Sequence, residues 1–331
     1  MAVPVVYSLA TQYPHIHVTV LSRKFARPFF ENLAPNVSFM EADIKGEYRG
    51  VKGLNALYRR LASKQFTKIA DFHNVLRSEY LRLRFNMGRY RVEHINKHRH
   101  ERHRLVAASR KVMHPLPTPF DNYASVLAKL GYPVKVGFSS LFPPEGGNLT
   151  LLPAIIGTKQ DGELWIGVAP TAAHAGKCYP TDRMRQVVER LLLLHPQARI
   201  FLFGRGHQEE HLFKEWCALM PQCVSVSQHL EDISQELILM SHLNVMLSMD
   251  SSNMHMASLT ATPVVSVWGA THPYAGFMGW GQPAENAIQA DLDCRPCSIY
   301  GNRPCRRGDL ACMTLIPPEQ IIARIEQIIN P

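Results

Sequence analysis

The chain of 331 residues is long enough for two domains, and its 46% hydrophobic and 19% charged residues are typical of a globular protein. No apolar run approaches the ~20 residues of a membrane span and no signal peptide is recognisable, so a cytoplasmic protein is expected. The net charge of +9 is uneven: residues 1–150 hold 23 Lys and Arg against 10 Asp and Glu, whereas residues 151–331 hold 13 against 17. The basic first half favours an anionic partner, which can be a phosphorylated substrate, nucleic acid or an anionic membrane surface.

Strands and helices alternate along the first half. The hydrophobic pattern predicts strands at 16–21, 37–40, 67–72 and 89–94, and helices at 1–13, 54–62, 77–85 and 120–131. This alternation is typical of a parallel, doubly wound α/β sheet. The stretch 132–153 loses its periodicity and is rich in Pro and Gly, which indicates a linker. We therefore predict two domains, residues 1–150 and 151–331.

Two places in the first half carry candidate anion-binding side chains. Arg77 and Ser78 follow the strand predicted at 67–72, and ligand groups bind at the carboxyl ends of parallel strands. Arg77 can equally be a cation on a helix surface. Lys97 and Arg99 belong to the most basic stretch, 94–111, which also contains several histidines. Because no histidine pair there has a carboxylate behind it, a basic anion-binding helix is favoured over a metal site.

The second half begins with a strand at 164–168 and a loop of small residues that contains Thr171 and Lys177. Such a loop allows close backbone approach, and the lysine supplies a cation for phosphate. The next strand, 199–203, is followed by Glu209 and Glu210. A carboxylate at this position can accept from ribose hydroxyls, or it can simply compensate the helix dipole. The sequence does not choose between the two glutamates.

Residues 244–273 predict a strand, a turn, a helix and a strand, which together form one parallel βαβ unit. The turn contains Asp250, Ser251 and Ser252, and His255 follows in the first helical turn. Free N–H groups and the positive end of the helix dipole make such a helix start suitable for phosphate. The alternative is that Asp250 and Ser252 only cap the helix and that His255 is a partly buried surface residue.

Four cysteines, Cys294, Cys297, Cys305 and Cys312, form a C-x2-C-x7-C-x6-C pattern. Four cysteines are the ligand number of a structural zinc site, although this spacing is not that of a standard zinc finger. Zinc, reduced structural thiols and disulfides are three readings that the sequence leaves open. The chain ends with an amphipathic helix predicted at 317–329.

These motifs resemble those of the ADP-heptose:lipopolysaccharide heptosyltransferases, glycosyltransferase family 9. The family's donor-binding motif is Asp-Ser/Thr-Gly-x-x-His, followed by a strand that ends in an aromatic residue and Gly-x-Thr-x-Pro. The matching residues are Asp250, Ser251, His255, Trp268, Gly269, Thr271 and Pro273, with Ser252 in place of the usual Gly. The loop at Thr171 and Lys177 resembles the family's pyrophosphate loop, with Tyr179 in place of Trp. Arg77 and Ser78 match the end of the family's Asp-x-Gln-Gly-x-x-Arg/Lys-Ser motif, in which His73 and Asn74 replace Gln-Gly.

The resemblance implies a GT-B architecture, with two Rossmann-like domains facing a cleft. It implies inverting transfer of heptose from ADP-heptose to the lipid A/Kdo inner core of lipopolysaccharide, with no required cofactor and no nucleic-acid partner. The enzyme would meet an anionic membrane surface transiently, at the inner face of the inner membrane. The implied donor-binding residues are Thr171, Lys177, Glu209, Glu210, Asp250, Ser251, Ser252 and His255. The implied acceptor-binding residues are Arg77, Ser78, Lys97 and Arg99.

The family's proposed catalytic base is an Asp in a Gly-Asp turn that precedes the residues matching Met1–Pro4. The base is therefore expected upstream of Met1, and the 331-residue chain is expected to bind nucleotide but to transfer sugar poorly. Two other readings are a binding-only or catalytically impaired member of the family and a GT-B nucleotide-sugar epimerase.

Overall fold

The computed structural model describes residues 1–330 and divides the chain into two compact units. Unit 1 comprises residues 1–99 and 117–138, and unit 2 comprises residues 100–116 and the chain from residue 139 onward. The boundary predicted at residue 150 therefore differs from the division that the structure makes. Hydrogen bonds explain the difference: Leu116 donates its N–H to the Tyr274 carbonyl, and Leu141 donates to that of Leu259. Both segments are thus anchored to residues of unit 2.

Unit 1 contains two parallel strand pairs with helices between them. Its elements are α1 (Val3–Gln12), β1 (Val18–Ser22), a 3-10 turn (Lys24–Phe29), β2 (Val37–Glu41), α2 (Gly50–Ala62), β3 (Lys68–Asp71), α3 (Leu76–Met87), β4 (Arg91–His94) and α5 (Pro119–Lys129), with α4 (Arg99–Leu105) crossing into unit 2. Strand β1 pairs with β2, and β3 pairs with β4. The strands and helices predicted for this region are confirmed, but they form two separate two-stranded sheets in the described chain rather than one continuous sheet.

Unit 2 is built on a six-stranded sheet in the order β10-β9-β8-β5-β6-β7, and all neighbouring strands are parallel. The strands are β5 (Trp165–Ala169), β6 (Arg199–Leu202), β7 (Cys223–Ser225), β8 (Val245–Met249), β9 (Val264–Trp268) and β10 (Ala287–Gln289). The helices are α6 (Thr181–Leu194), α7 (His207–Leu219), α8 (Val226–His229), α9 (Ile233–Met240), α10 (Ser252–Leu259), α11 (Ala311–Thr314) and α12 (Pro318–Ile329). The predicted βαβ unit is confirmed as β8, α10 and β9.

The central strands of unit 2 are buried on both faces, which is why they read as continuous apolar runs rather than as alternating ones. Ile166 and Val168 point into a core shared with α6 and α12, whereas Trp165 and Ala169 point into a second core shared with α9 and α10. Burial of a large apolar side chain stabilises the fold by about 1.5–3 kcal/mol. The packed sheet therefore holds in place the loops that follow the carboxyl ends of its strands.

Across residues 1–330, no helix combines the length and the apolar character that a membrane crossing would need.

Candidate functional site

The site of unit 2 lies at the carboxyl ends of β5 and β8, which are neighbours in the sheet although four α-helices and two strands separate them in sequence. Strand order reverses between these two strands, because β6 and β7 lie on one side and β9 and β10 on the other. In open α/β sheets this switch point is where ligands bind. The loop with Lys177 follows β5 and the turn with Asp250 follows β8, so the sheet topology brings the two predicted segments together.

Lys177 and Asp250 form an ion pair at this switch point. The Lys177 Nζ lies 2.9 Å from Asp250 Oδ2, and the two side chains are only 17% and 5% exposed. Burial raises the pKa of Asp250 above its ordinary value, although Lys177 and the Thr271 hydroxyl act in the opposite direction. A shielded ammonium group at a strand end is suited to hold an anionic ligand, because charge-assisted hydrogen bonds are strong where water is excluded.

The start of α10 presents backbone N–H groups beside this ion pair. Ser251 is the N-cap residue, with extended backbone angles, but its side chain makes no capping hydrogen bond within the described chain. Its hydroxyl instead lies 3.1 Å from that of Ser248, and Ser252 is exposed at the first helical position. The N-cap residue is therefore Ser251 rather than Asp250 or Ser252. The uncapped helix start can donate its N–H groups to a phosphate.

His255 lies one turn into α10, and its Nδ1 is buried without a hydrogen-bond partner among residues 1–330. Burial lowers the pKa of His255 to about 3, and the charge of Lys177 contributes to the same shift. The imidazole is therefore neutral near neutral pH and acts as a hydrogen-bonding group rather than as a cation. An unpartnered ring nitrogen at the helix start is consistent with a polar ligand that completes its hydrogen bonding.

We expect His255 to make the protein sensitive to acid. Between its ordinary value of 6.5 and about 3, the unfolded chain binds a proton that the folded chain does not, so stability falls as the pH falls through this window. His255→Gln should remove this component and give a shallower decline of Tm with acidification. The matched control is His207→Gln, because the His207 side chain is fully exposed. Equal pH profiles for wild type and His255→Gln would contradict the assignment.

The structure distinguishes Glu209 from Glu210. The Glu209 carboxylate accepts a 3.0 Å hydrogen bond from the Thr171 hydroxyl, which connects the first turn of α7 to the loop after β5. Gly206 has a φ of +133°, and an added Cβ there would lie 3.0 Å from Glu209 Oε2, so this glycine allows the carboxylate its position. Glu210 instead points toward the exposed ring of His207 at 4.0 Å. Only Glu209 therefore belongs to the site.

The loop that carries Lys177 is held by the segment that contains the four cysteines. The Ala270 N–H donates to the Gly176 carbonyl at 2.8 Å, and the Cys297 N–H donates to the Ala270 carbonyl at 3.0 Å. Gly301 packs on the aliphatic stem of Lys177: its φ is +74°, and an added Cβ would lie 2.5 Å from Lys177 Cγ. The cysteine segment therefore positions the lysine of the site.

Gly301→Ala should both strain the backbone and displace Lys177. Gly308→Ala is a matched control in the same segment, because its φ is +82° but an added Cβ would meet nothing within 4 Å. Each variant should lose about 1–2 kcal/mol of stability, the cost of a left-handed conformation for an L-residue. Only Gly301→Ala should also weaken ADP binding in calorimetry. The same Kd for ADP in both variants would show that Gly301 does not position Lys177.

Arg295 is a buried residue of this segment that the sequence reading did not single out. Its guanidinium donates to the carbonyls of Trp268, Gly269, Thr271 and Ala290 and to the Gln289 side chain, and only 6% of the residue is exposed. The carbonyls of Trp268, Gly269 and Thr271 lie at or just after the end of β9, which continues the predicted binding motif, and that of Ala290 follows β10. Arg295 therefore fixes the strand end beside Lys177. Its position between two cysteines offered no local signal for this role.

The four cysteines of the predicted metal motif line one small cavity next to Gly176 and Ala270. All four are free thiols, and burial raises the pKa of Cys312 to about 11. Although burial alone would raise the pKa of the Cys305 thiol, hydrogen bonds from nearby backbone N–H groups, led by that of Leu310, lower this pKa below its ordinary value. In the part of the chain that the structure describes, no group of three or more His, Cys, Asp or Glu side chains is arranged to hold a metal ion. The thiols as placed do not fit a zinc site, and we derive no step from one.

Two of the four acceptor-side residues predicted from the sequence, Arg77 and Lys97, lie near the carboxyl ends of β3 and β4 in unit 1. Partial burial lowers the pKa of His73, and the charges of Lys97, Arg77 and Arg23 act in the same direction. The charges of these three cations thus act on one imidazole, and Arg23 is a member of this group that the sequence reading missed. Arg23 follows β1, and a strand-end position was the available signal. The cluster is suited to bind carboxylate or phosphate groups.

Two other side chains near this strand end, Ser78 and Asp71, have structural tasks. Ser78 accepts from the Val75 N–H at 2.9 Å and donates to the Val75 carbonyl, so it caps α3 rather than presenting a free hydroxyl. The Asp71 carboxylate accepts from the N–H groups of His73 and Asn74 and lies 3.4 Å from Arg82. Asp71 therefore holds the loop closed. Arg99 is exposed at the start of α4, outside the cluster around His73.

Comparisons with known proteins identify the family and the fold. The model of glycosyltransferase family 9 (heptosyltransferase) matches residues 54–304. A glycosyl transferase family 9 protein from Veillonella parvula superposes with a TM-score of 0.72 at 18% identity, over 99% of this chain and 92% of that one. The ADP-heptose lps heptosyltransferase II of E. coli superposes with a TM-score of 0.66 at 15% identity, over 99% and 94%. The E. coli heptosyltransferase WaaC with ADP has a TM-score of 0.66 at 14% identity, over 99% and 95%.

No curated protein sequence matches the chain. The structural similarities give the fold class, which is GT-B, as expected from the parallel sheet of unit 2. The family match spans most of the chain and includes both the strand end at Arg77 and the switch point at Lys177 and Asp250. This protein therefore belongs to glycosyltransferase family 9, the heptosyltransferase family, and is a glycosyltransferase.

Proposed function

We propose that the enzyme transfers a heptose from ADP-heptose to the inner core of lipopolysaccharide, with inversion at the sugar carbon. The observation that carries the proposal is the switch point of unit 2, which holds the Lys177 ammonium, a start of α10 without a side-chain cap and a His255 nitrogen without a hydrogen-bond partner, all judged among residues 1–330. This combination suits a diphosphate. Ligands with a diphosphate are bound in structures of a similar protein, the E. coli heptosyltransferase WaaC, which has been solved with ADP and with ADP-2-deoxy-2-fluoro heptose.

The nucleotide would bind along the carboxyl ends of the sheet in unit 2. Its diphosphate would accept hydrogen bonds from Lys177 and from the N–H groups that begin at Ser252, and the neutral His255 would donate another. The Glu209 carboxylate would accept from the ribose hydroxyls, with Thr171 holding it in place. Because these fixed donors compensate the charge that develops on the leaving diphosphate, the proposed mechanism requires no divalent metal or other cofactor.

The acceptor would bind through unit 1. A lipopolysaccharide inner core carries carboxylates and phosphates, and the cluster of Arg23, Arg77 and Lys97 offers matching cations. This assignment keeps Arg77 and Lys97 as acceptor ligands and leaves Ser78 and Arg99 out of direct contact. The acceptor hydroxyl must lose a proton during transfer. Asp71 does not serve as that base in our proposal, because its Oδ1 accepts two backbone N–H groups and its Oδ2 lies 3.4 Å from the Arg82 guanidinium, which disfavours uptake of a proton.

The proposal is tested by calorimetry with ADP-heptose and by coupled measurement of ADP release. We expect binding of ADP and ADP-heptose but not of UDP-glucose, and release of ADP only when a heptose-free lipopolysaccharide core is added. Mass spectrometry of the acceptor should show one added heptose. Conversion of the sugar without an acceptor would indicate an epimerase, and nucleotide binding without turnover would indicate a binding-only protein; both outcomes overturn the proposal.

The two adjacent glutamates provide a matched pair for the ribose contact. Glu209→Gln should weaken ADP binding by about 10- to 100-fold, because it removes a charged acceptor for which hydrogen bonds contribute about 1.5–3 kcal/mol. Glu210→Gln changes the same charge one residue away and should leave the Kd unchanged. Binding of ribose-5-phosphate or of 2′-deoxy-ADP separates the ribose contact from other effects. A similar loss in both variants would contradict the assignment of Glu209.

A further inference from the structure

Helix α3 of unit 1 exposes a row of apolar side chains to solvent. Leu76 is 85% exposed, Leu83 is 58% exposed and Met87 is 73% exposed. Because these residues are seven and four positions apart, they lie on one face of the helix. The opposite face already fills the core of unit 1 with Phe85 and Leu81. The exposed row is therefore a second apolar face that the packing of unit 1 does not use.

Cations surround this row. Helix α2 lies beside α3, and Tyr80 of α3 donates a 3.0 Å hydrogen bond to the Asn55 side chain of α2. Lys52 and Arg59 lie three residues before and four residues after Asn55, so the three share one face of α2, and both basic residues are exposed. Arg77 is exposed next to Leu76. We define the α2–α3 face as Lys52, Arg59, Leu76, Arg77, Leu83 and Met87.

Positive charge predominates in unit 1. Residues 1–99 and 117–138 hold 19 Lys and Arg against 8 Asp and Glu, a net charge of +11. Helix α2 contains no acidic residue, and α3 contains only Glu79. An occupant of this face must therefore offer negative charge together with an apolar layer. A second copy of the chain would place cations against cations, which opposes association.

We propose that the α2–α3 face docks on the surface of an anionic lipid bilayer. Leu76, Leu83 and Met87 would enter the boundary between headgroups and acyl chains, and the surrounding Lys and Arg would pair with lipid phosphates. The row begins beside Arg77, which belongs to the cation cluster proposed for the acceptor. Docking would therefore bring that cluster to the membrane surface, where a lipid-linked acceptor resides. The docking itself does not depend on which sugar is transferred.

The test is sedimentation of the full-length protein with vesicles of phosphatidylcholine alone or with phosphatidylglycerol. The wild type should bind only the vesicles with phosphatidylglycerol, and binding should weaken with salt. The triple variant Leu76→Ser, Leu83→Ser, Met87→Ser should lower the partition coefficient at least about tenfold, and so should Lys52→Glu with Arg59→Glu. The matched control is Leu193→Ser, Leu194→Ser and Leu219→Ser in unit 2, where the leucines are 76%, 56% and 59% exposed. This control should bind like the wild type.

The outcomes separate this proposal from its alternatives and from the proposed function. Vesicle binding that is unchanged in the triple variant, or that falls equally in the control, overturns the proposal. A dimer in analytical ultracentrifugation that the triple variant dissociates, without vesicle binding, would show instead that a second copy covers the face. ADP affinity in solution is measured alongside and should be the same in all variants. Loss of vesicle binding with intact ADP affinity separates docking from the donor site.

Discussion

Lys177→Met should weaken ADP binding by about 10- to 100-fold, because it removes the ammonium group of the switch point. The ammonium group lies 2.9 Å from Asp250 in a site that excludes most water, and a charged hydrogen bond to a ligand contributes about 1.5–3 kcal/mol. Calorimetry with ADP measures the change directly. Lys214→Met removes the same charge from an exposed position in α7 and is the matched control.

A second substitution separates ligand binding by Lys177 from its structural role. Lys177→Met also leaves the buried Asp250 carboxylate without its cation, so the variant should lose stability, because an unpaired buried charge is costly. Adding Asp250→Asn removes that charge and should restore much of the stability, but it should not restore ADP affinity. If the double variant recovers ADP binding together with stability, Lys177 acts only by holding the fold, and its assignment to the diphosphate is wrong.

Arg295→Met should lower the free energy of unfolding by about 3–5 kcal/mol, the largest stability effect that we expect in this protein. The substitution leaves four backbone carbonyls and the Gln289 amide oxygen without their donor in a buried region. Each unsatisfied buried acceptor costs about 1–3 kcal/mol, and relaxation of the segment recovers part of the sum. Urea denaturation followed by circular dichroism gives the value.

Arg303→Met is the control for this substitution, because Arg303 lies in the same segment but is exposed. Its effect should stay within about 0.5 kcal/mol, as for most surface substitutions. Arg295→Lys should be intermediate, because one ammonium group cannot reach acceptors arranged around a planar guanidinium. If Arg295→Met costs no more than Arg303→Met, the guanidinium does not hold the strand end, and another contact must fix residues 268–271.

Whether the four cysteines bind a metal ion does not affect the predictions for Lys177 and Arg295. The sequence pattern of Cys294, Cys297, Cys305 and Cys312 allowed zinc, thiols or disulfides, and the structure places the four as free thiols around one cavity. The segment that contains these thiols also positions residues of the candidate site. The segment carries Arg295 and Gly301, which fix the end of β9 and the stem of Lys177.

Sequence alone predicted the strands, turns and helices around Lys177 and Asp250, because these elements depend on local signals. The βαβ unit around Asp250 follows from a buried strand, a polar turn and a β-branched strand that are contiguous in the chain. The loop at Lys177 follows from small residues and one cation after a strand. A resemblance to a known family then joined these segments, and the match over residues 54–304 confirms the family.

Only the tertiary structure decided which neighbouring residues share a site. Glu209 and Glu210 are adjacent in sequence, but successive residues of a helix point about 100° apart, so only Glu209 reaches Thr171. Arg295 acquired its role because β9 ends next to a segment nearly thirty residues away along the chain. Residues 100–116 belong to unit 2 through hydrogen bonds such as that from Leu116 to Tyr274. Each of these results depends on long-range contacts, which no local pattern of side chains encodes.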